Sequence, residues 1–349
     1  MKAFRRSARK ERAAKLVDLP IPVPAENEVL LKVSHCGICG SDLHAWLNHK
    51  GYESVLPEVT FGHELSGIVQ QVGTEANGWK IGDRAVMIAL QTPHDPDDRY
   101  CKENQPQLSS RRRVQGLHLD GGMAEYVCID VEFLIPVPEG LPLPLAALTE
   151  PLSVAEHCIG NRTDVKEGTN LVVSGPGIIG LLCAISARSR GANVLLSGTE
   201  RDEPTRLKAA REIGFETLTV GPEKVHLDEQ VLHFCPQGAD ALVEASGATS
   251  ALSESWKSVR PDGTVTAVAL YSQTIHMDLT QFLRKQIDLR TSYASSKNDY
   301  LRAFDLLLAQ QVDPNALTKQ YSLQDAEQGF IDSEQLKVTK VILDCNLAD

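Results

Sequence analysis

The sequence predicts a two-domain α/β chain, with a partly closed β-barrel-like domain followed by a doubly wound parallel sheet. Three observations carry that expectation. The chain has 349 residues, too many for one ordinary core. Its first part, roughly 150 residues, is dense in Gly, Pro and short apolar runs, the texture of a barrel of short strands. After Pro151 the texture changes, and strands alternate with helical stretches.

The elements follow in order. Strands are expected at 29–33, 65–72, 84–88 and 123–129, punctuated by Gly62, Gly67, Gly73 and Gly82. Residues 170–174 form a short apolar run, 178–190 are apolar at helical spacing, and 193–197 read as a second strand. A helix is expected at 206–213, stopped by Gly214. Residues 241–244, 264–269 and 288–292 continue the strand series. The tail holds a helix at 300–309 and a last strand at 338–343, and returns to the first domain. The division is therefore 1–153 with 292–349, and 154–291.

Composition narrows the class. Hydrophobic residues make up 42% and charged residues 23%, as in soluble globular proteins. A formal net charge of -11 argues against a nucleic-acid partner, whose phosphates need a basic face. The one dense basic run, Arg111-Arg112-Arg113, reads as a solvated loop. No apolar stretch approaches the ~20 residues of a membrane span, and the N-terminal residues lack the apolar core of a secretory signal. The expected compartment is the cytoplasm. Eight scattered cysteines suit reduced thiols, a few of them used for chemistry.

Ser174-Gly175-Pro176-Gly177-Ile178-Ile179-Gly180 carries G-x-G-x-x-G between an expected strand and helix. The first glycine allows the tight turn, the second the approach of a pyrophosphate, and the third close helix–strand packing. The helix N-terminus offers N–H groups and positive dipole to the phosphates. An NAD site places an acid at the end of the second strand, and here Gly198 stands there. Glu200 reaches a ribose 2′-hydroxyl, or Thr199 and Arg201 bind a 2′-phosphate. The cofactor is NAD or NADP, with the displaced acid leaning to NADP.

Two further segments carry donor groups: Cys36-Gly37-Ile38-Cys39-Gly40-Ser41-Asp42-Leu43-His44, and Gly62-His63-Glu64. Thiolate, imidazole and carboxylate are the donors that zinc takes. Alone, Cys36 and Cys39 read equally as a redox pair or half a structural zinc site. Together with the phosphate fingerprint, Gly82-Asp83-Arg84 and Glu150-Pro151-Leu152-Ser153-Val154, they resemble the zinc-dependent medium-chain dehydrogenases. The similar branch contains sorbitol, idonate and threonine dehydrogenases, and the resemblance covers nearly the whole chain.

That resemblance implies a GroES-like catalytic domain beside a Rossmann domain. It implies zinc ligation by Cys39, His63 and Glu64, with Glu150 ligating the metal or holding its water. Ser41 matches the hydroxyl that bonds the substrate alcohol, His44 the outer end of a proton relay, and Asp42 the carboxylate that orients a ligating His. Cys36 reads as a packing residue. Cofactor contacts are implied at Gly175, Gly177, Ile178, Ile179, Gly180, Thr199, Glu200, Arg201 and Leu270, and a phosphate cation at Lys340. The implied reaction oxidises a polyol, sugar acid or other secondary alcohol to the ketone, with hydride passing to the nicotinamide. A threonine-type amino-alcohol dehydrogenase is the alternative, and a non-catalytic binder on the same fold ranks below both. A homo-oligomer, tetramer or dimer, is expected by analogy.

Two departures stand out. The four-cysteine structural zinc lobe of many relatives lands on Asp95, Asp98, Cys101 and Ser109. That is a poor tetrahedral set, so one zinc per chain is expected and Asp95 and Asp98 become solvated loop acids. Ala45 follows His44 where the polyol branch often has an aromatic, leaving Trp46 to line the pocket or to join the core. His49, Tyr52 and Glu53 in the next loop bind hydroxyls or are merely solvated.

Overall fold

The computed structural model describes residues 1–92, 95, 97–103, 105–221 and 226–346. The chain divides into two compact units. One holds Met1–Glu150, Ser296–Leu308 and the segment from Thr318, and the other holds Pro151–Ser295 and Ala309–Leu317.

The first unit opens with a hairpin of β1 (Lys2–Arg6) and β2 (Ala14–Asp18). Then come β3 (Glu28–Gly37), β4 (Glu64–Val72), β5 (Arg84–Met87), the short pair β6 (Leu90–Gln91) and β7 (Arg113–Val114), β8 (Tyr126–Asp130) and β9 (Leu134–Pro136). The second unit supplies β10 (Asn170–Ser174), β11 (Asn193–Gly198), β12 (Glu216–Thr219), β13 (Ala239–Glu244), β14 (Val259–Ala267) and β15 (Asp288–Thr291). The tail returns β16 (Thr318–Ser322) and β17 (Lys340–Asp344) to the first unit.

The first unit's sheet runs β16-β17-β3-β4-β5-β9, with β8 also paired to β3. Strand β3 is almost wholly buried, which fits its run of Val, Leu and Cys and its central place. Phe330 gathers the aromatics of this core. Its ring lies 5.2 Å from Phe4, 5.3 Å from Trp46 and 5.7 Å from Phe61, centroid to centroid. Trp46 is only 1% exposed and is core, so its place as a pocket wall falls away.

The second unit is a parallel sheet ordered β12-β11-β10-β13-β14-β15. This is the doubly wound order, whose direction of winding reverses between β10 and β13. The helix expected at 206–213 starts earlier, as a π-helical turn at Glu203–Leu207 that runs into Lys208–Glu212. Pro204 sits in its first turn, where the missing N–H costs nothing. Strands β1, β2, β12 and β16 escaped the sequence reading, because they are short and carry charged or polar residues on their exposed positions.

Phe330 touches three other rings in a fully buried cluster, so Phe330→Ala is expected to cost about 3–5 kcal/mol. Urea unfolding followed by tryptophan fluorescence measures it, and Phe330→Leu should lose well under half as much.

Candidate active site and metal centre

The antiparallel register of β3 and β4 sets Gly37 opposite Glu64 and Cys36 opposite Leu65. The chain leaving β3 and the chain entering β4 therefore meet at one end of the sheet. Cys39 caps helix α1 (Gly40–Trp46) there, and its backbone N–H donates to Asp42 at 3.0 Å. One donor atom each from Cys39, His63 and Glu64 lies within 4.8 Å of the other two. Among the described residues this is the one such group of three or more.

Local chain geometry serves that cluster. A side chain at Gly37 would run into the Glu64 carboxylate, and its Cβ would also sit 3.0 Å from the Lys340 stem. Gly62 holds φ +100°, a left-handed conformation next to His63 that a side chain would strain. Cys36 is fully buried within the hydrophobic core, and burial pushes its thiol well up. It stands apart from the donor cluster.

The pocket favours positive charge. Burial acts to lower the His63 pKa, yet the Asp42 carboxylate and the Cys39 thiol outweigh it and raise the value. Asp42 is fully buried, with one oxygen 3.5 Å from His63 Nδ1, the position of a group that orients a ligating imidazole. Glu150 is pushed up to about 7, chiefly by burial and further by Glu64, against the opposing pull of His63 and Lys340. It belongs to the field around the cluster while standing outside the group of three. A thiol, an imidazole and a carboxylate converge in a largely buried, electronegative region, and that donor set fits zinc.

Lys340 departs from its expected role. It is 2% exposed, ion-pairs with Glu64 and donates to the Ile38 carbonyl at 2.9 Å. Strand β17 pairs with β3 and delivers this cation to the donor cluster, not to a phosphate. Nothing in the local sequence marks it, because its meaning comes from strand pairing.

Ser41 Oγ lies 3.4 Å from His63 Nε2, so its hydroxyl sits beside the cluster. His44 is one turn further along α1. Its ring nitrogen Nδ1 is 2.8 Å from Nδ1 of His49, and its ring stacks on Tyr52 at 5.4 Å. Burial, then His49, lowers its pKa.

In the second unit, β10 passes through the glycine turn into helix α2 (Ile178–Ser189) and on to β11. Gly175 has φ +105°, and its Cβ would meet Ser246 N at 2.6 Å at the β10/β13 reversal. A Cβ on Gly180 would collide with the Gly175 carbonyl. Gly177 faces open space and caps the helix without a side-chain bond, with Ile178 and Ile179 half-buried in the first turn. This is a cradle open to a pyrophosphate.

At the end of β11 the structure adds a residue that the sequence reading missed. Asp202 is 7% exposed and accepts from Thr199 N at 2.9 Å and Thr199 Oγ1 at 2.8 Å. The T-x-x-D spacing of a capping box was the available signal. Glu200 and Arg201 are exposed. A Cβ on Gly198 would meet Pro176 Cγ at 2.7 Å, so no acid is seated there on this backbone. Beyond β13, the buried Glu244 accepts from Ser246, Gly247 and the Tyr271 hydroxyl, which ties together the loops after β13 and β14. Leu270, at the second of these loops, is 57% exposed.

The loop at 95–111 is clasped by its own side chains. Asp98 accepts from Tyr100 N at 2.7 Å and from Ser109 Oγ at 2.7 Å, and Asp95 pairs with Arg111. These acids, expected as solvated loop acids, are partly exposed and also clasp the loop.

Gly180→Ala is expected to weaken nucleotide binding at least tenfold while leaving metal content unchanged. Fluorescence titration with reduced nicotinamide dinucleotide measures the first and elemental analysis the second.

Known proteins agree with this geometry. Residues 25–139 match the alcohol dehydrogenase GroES-like domain, and residues 179–309 match the zinc-binding dehydrogenase family. The chain is 32% identical over 329 residues to a sorbitol dehydrogenase of Halalkalibacterium halodurans, covering 93% of both chains. It is 31% identical over 340 residues to D-xylulose reductase A of Aspergillus oryzae, covering 94% of this chain and 93% of the other. A Sinorhizobium meliloti 1021 protein solved with NADP bound superposes with TM-score 0.88 at 26% identity, covering 98% of each chain. The chain belongs to the zinc-dependent medium-chain dehydrogenase family, with a GroES-like first domain and a Rossmann second domain, and is an NAD(P)-dependent alcohol dehydrogenase.

Proposed function

We propose that this chain oxidises a polyol, or a sugar acid or secondary alcohol like one, to the ketone and passes hydride to NADP in preference to NAD. The observation that carries the reading is the buried convergence of Cys39, His63 and Glu64 in an electronegative pocket beside Ser41. Cys39, His63 and Glu64 would hold zinc, which supplies Lewis-acid polarisation of the alcohol oxygen. Glu150, outside the group of three, orients water or substrate at the pocket's edge.

The chain's own groups handle position and proton. Asp42 holds the His63 ring through Nδ1. Ser41 accepts a hydrogen bond from the substrate hydroxyl, and the proton leaves by way of His44. Burial, and after it His49, lower the His44 pKa, which favours the neutral ring that can take up a proton. The glycine turn and the first turn of α2 would seat the dinucleotide, which would supply the hydride acceptor.

Several features support NADP. Gly198 leaves no room for the acid that would read a 2′-hydroxyl. The Thr199 hydroxyl is already donated to Asp202, which leaves Arg201 as the exposed cation at that turn. The Sinorhizobium protein holds NADP. Relatives that act on sorbitol and xylulose support a polyol. Family analogy further supports a homo-oligomer, dimer or tetramer, working in the cytoplasm. Among the described residues no helix is long and apolar enough to cross a membrane.

A panel of sugar alcohols, sugar acids and amino alcohols, followed by absorbance of the reduced nicotinamide with each cofactor, tests the substrate class. Faster turnover of amino alcohols than of polyols would replace the reading with a threonine-type one. Cys39→Ser should lose zinc and at least a hundredfold in kcat, with little change in cofactor affinity. Full turnover by that variant stripped of metal is incompatible with the proposal. Arg201→Ala should raise the Kd for NADPH about tenfold and that for NADH much less. Equal losses would remove the NADP preference.

A further inference from the structure

His49 lies outside the motif that the family resemblance picks out, yet the fold delivers it to His44. Helix α1 ends at Trp46, and Asn48 adopts a left-handed φ of +54° that turns the chain back. Arg6, buried at 2% exposure, donates to the Asn48 side chain at 2.7 Å and pins that turn. The His49 backbone N–H then donates to the His44 carbonyl at 3.0 Å, and the two Nδ1 atoms come within 2.8 Å. The rings are tilted by 51° with centroids 5.1 Å apart, and Tyr52 covers the other contact of His44. His49 is exposed while His44 is half-buried.

Two imidazole nitrogens at 2.8 Å share one proton. Two bare lone pairs repel, and two N–H groups clash. Either His44 Nδ1–H donates to His49, or His49 Nδ1–H donates to His44. In the neutral rings only the first arrangement leaves His44 Nε2 with a free lone pair.

We propose that His49 is a positioning residue for proton removal: it accepts from His44 Nδ1–H, so fixing the His44 tautomer whose Nε2 takes the proton released by the alcohol. This rests on the dehydrogenase reading above. Per turnover, an O–H bond breaks on the substrate side and an N–H bond forms at His44 Nε2. The resulting charge is shared across the Nδ1–Nδ1 hydrogen bond, and the pair is reset when the Nε2 proton passes to water, which leaves His44 again protonated on Nδ1 and donating to His49. The neighbouring ionisable groups are few. His44 is faced by His49 and Tyr52. In the His49 loop, Lys50 points to an exposed position and the Glu53 carboxylate is occupied by the Gly51 N–H.

The test compares His49→Phe, which keeps a ring but offers no acceptor, with His49→Gln, whose amide oxygen can accept. Steady-state oxidation is followed between about pH 5 and 9. His49→Phe should lose about tenfold in kcat with KM unchanged, shift the acid limb of the profile, and regain rate when imidazole is added to the buffer. His49→Gln should stay nearer to wild type. Wild-type kcat and an unchanged pH profile in His49→Phe would overturn the proposal, as would equal losses in kcat and KM in both variants. Should His49→Phe unfold, nitrogen NMR of the wild-type holoenzyme with labelled histidine decides. His44 protonated on Nδ1 and bare on Nε2 supports the proposal, and the reverse overturns it. That readout is separate from the dehydrogenase reading, which fails instead if wild-type protein reduces neither nicotinamide with any alcohol.

Discussion

The whole chemical end of the first unit hangs on one strand register, the pairing of Gly37 with Glu64 across β3 and β4. A slip of one residue would turn Glu64 to the opposite face of the sheet. It would also pull His63 away from the cap of α1, where Cys39 waits. The absent side chain at Gly37 makes the same pairing physically possible, since the Glu64 carboxylate lies over that position. The glycine is there for space, and the sequence motif around it is the trace of a packing requirement.

Charge is the second constraint. A thiol and three carboxylates, those of Asp42, Glu64 and Glu150, crowd one buried region, and Lys340 with His63 answers them. A buried ion pair such as Lys340–Glu64 is weak evidence of added stability, because desolvation consumes most of the attraction. Its more useful effect is local. It anchors the Glu64 carboxylate from behind while leaving the pocket electronegative in front, the condition that a cation requires. Asp42 does the equivalent for His63, from the first turn of the same helix that presents Ser41 and His44.

Much of this was legible in the sequence wherever meaning lies in spacing. The run from β10 through the glycine turn to α2 and β11 was readable almost to the residue, because strand, turn and helix there follow from consecutive residues. The donor segments were readable for the same reason. What was hidden depends on contacts distant in sequence. Lys340 acquires its partner only when β17 pairs with β3. Trp46 is decided by Phe330, far along the chain. The arrangement of His44 and His49 needs Arg6 to hold the turn between them. Asp202 lies between these cases, since its capping spacing is local but its burial is not.

The loop at 95–111 carries a consequence of its own. Its clasp is a carboxylate gripping a hydroxyl and two amide N–H groups, reinforced by a guanidinium. The Ser109 hydroxyl, more than any other neighbour, holds the Asp98 carboxyl below its ordinary range. A clasp of that kind is in force at neutral pH and loosens only as acid protonates the carboxylate. Chelators and oxidants have no grip on those bonds. None of the clasp's partners belongs to the group of Cys39, His63 and Glu64, so removing a metal held by that group would leave these bonds in force and let the two be perturbed one at a time.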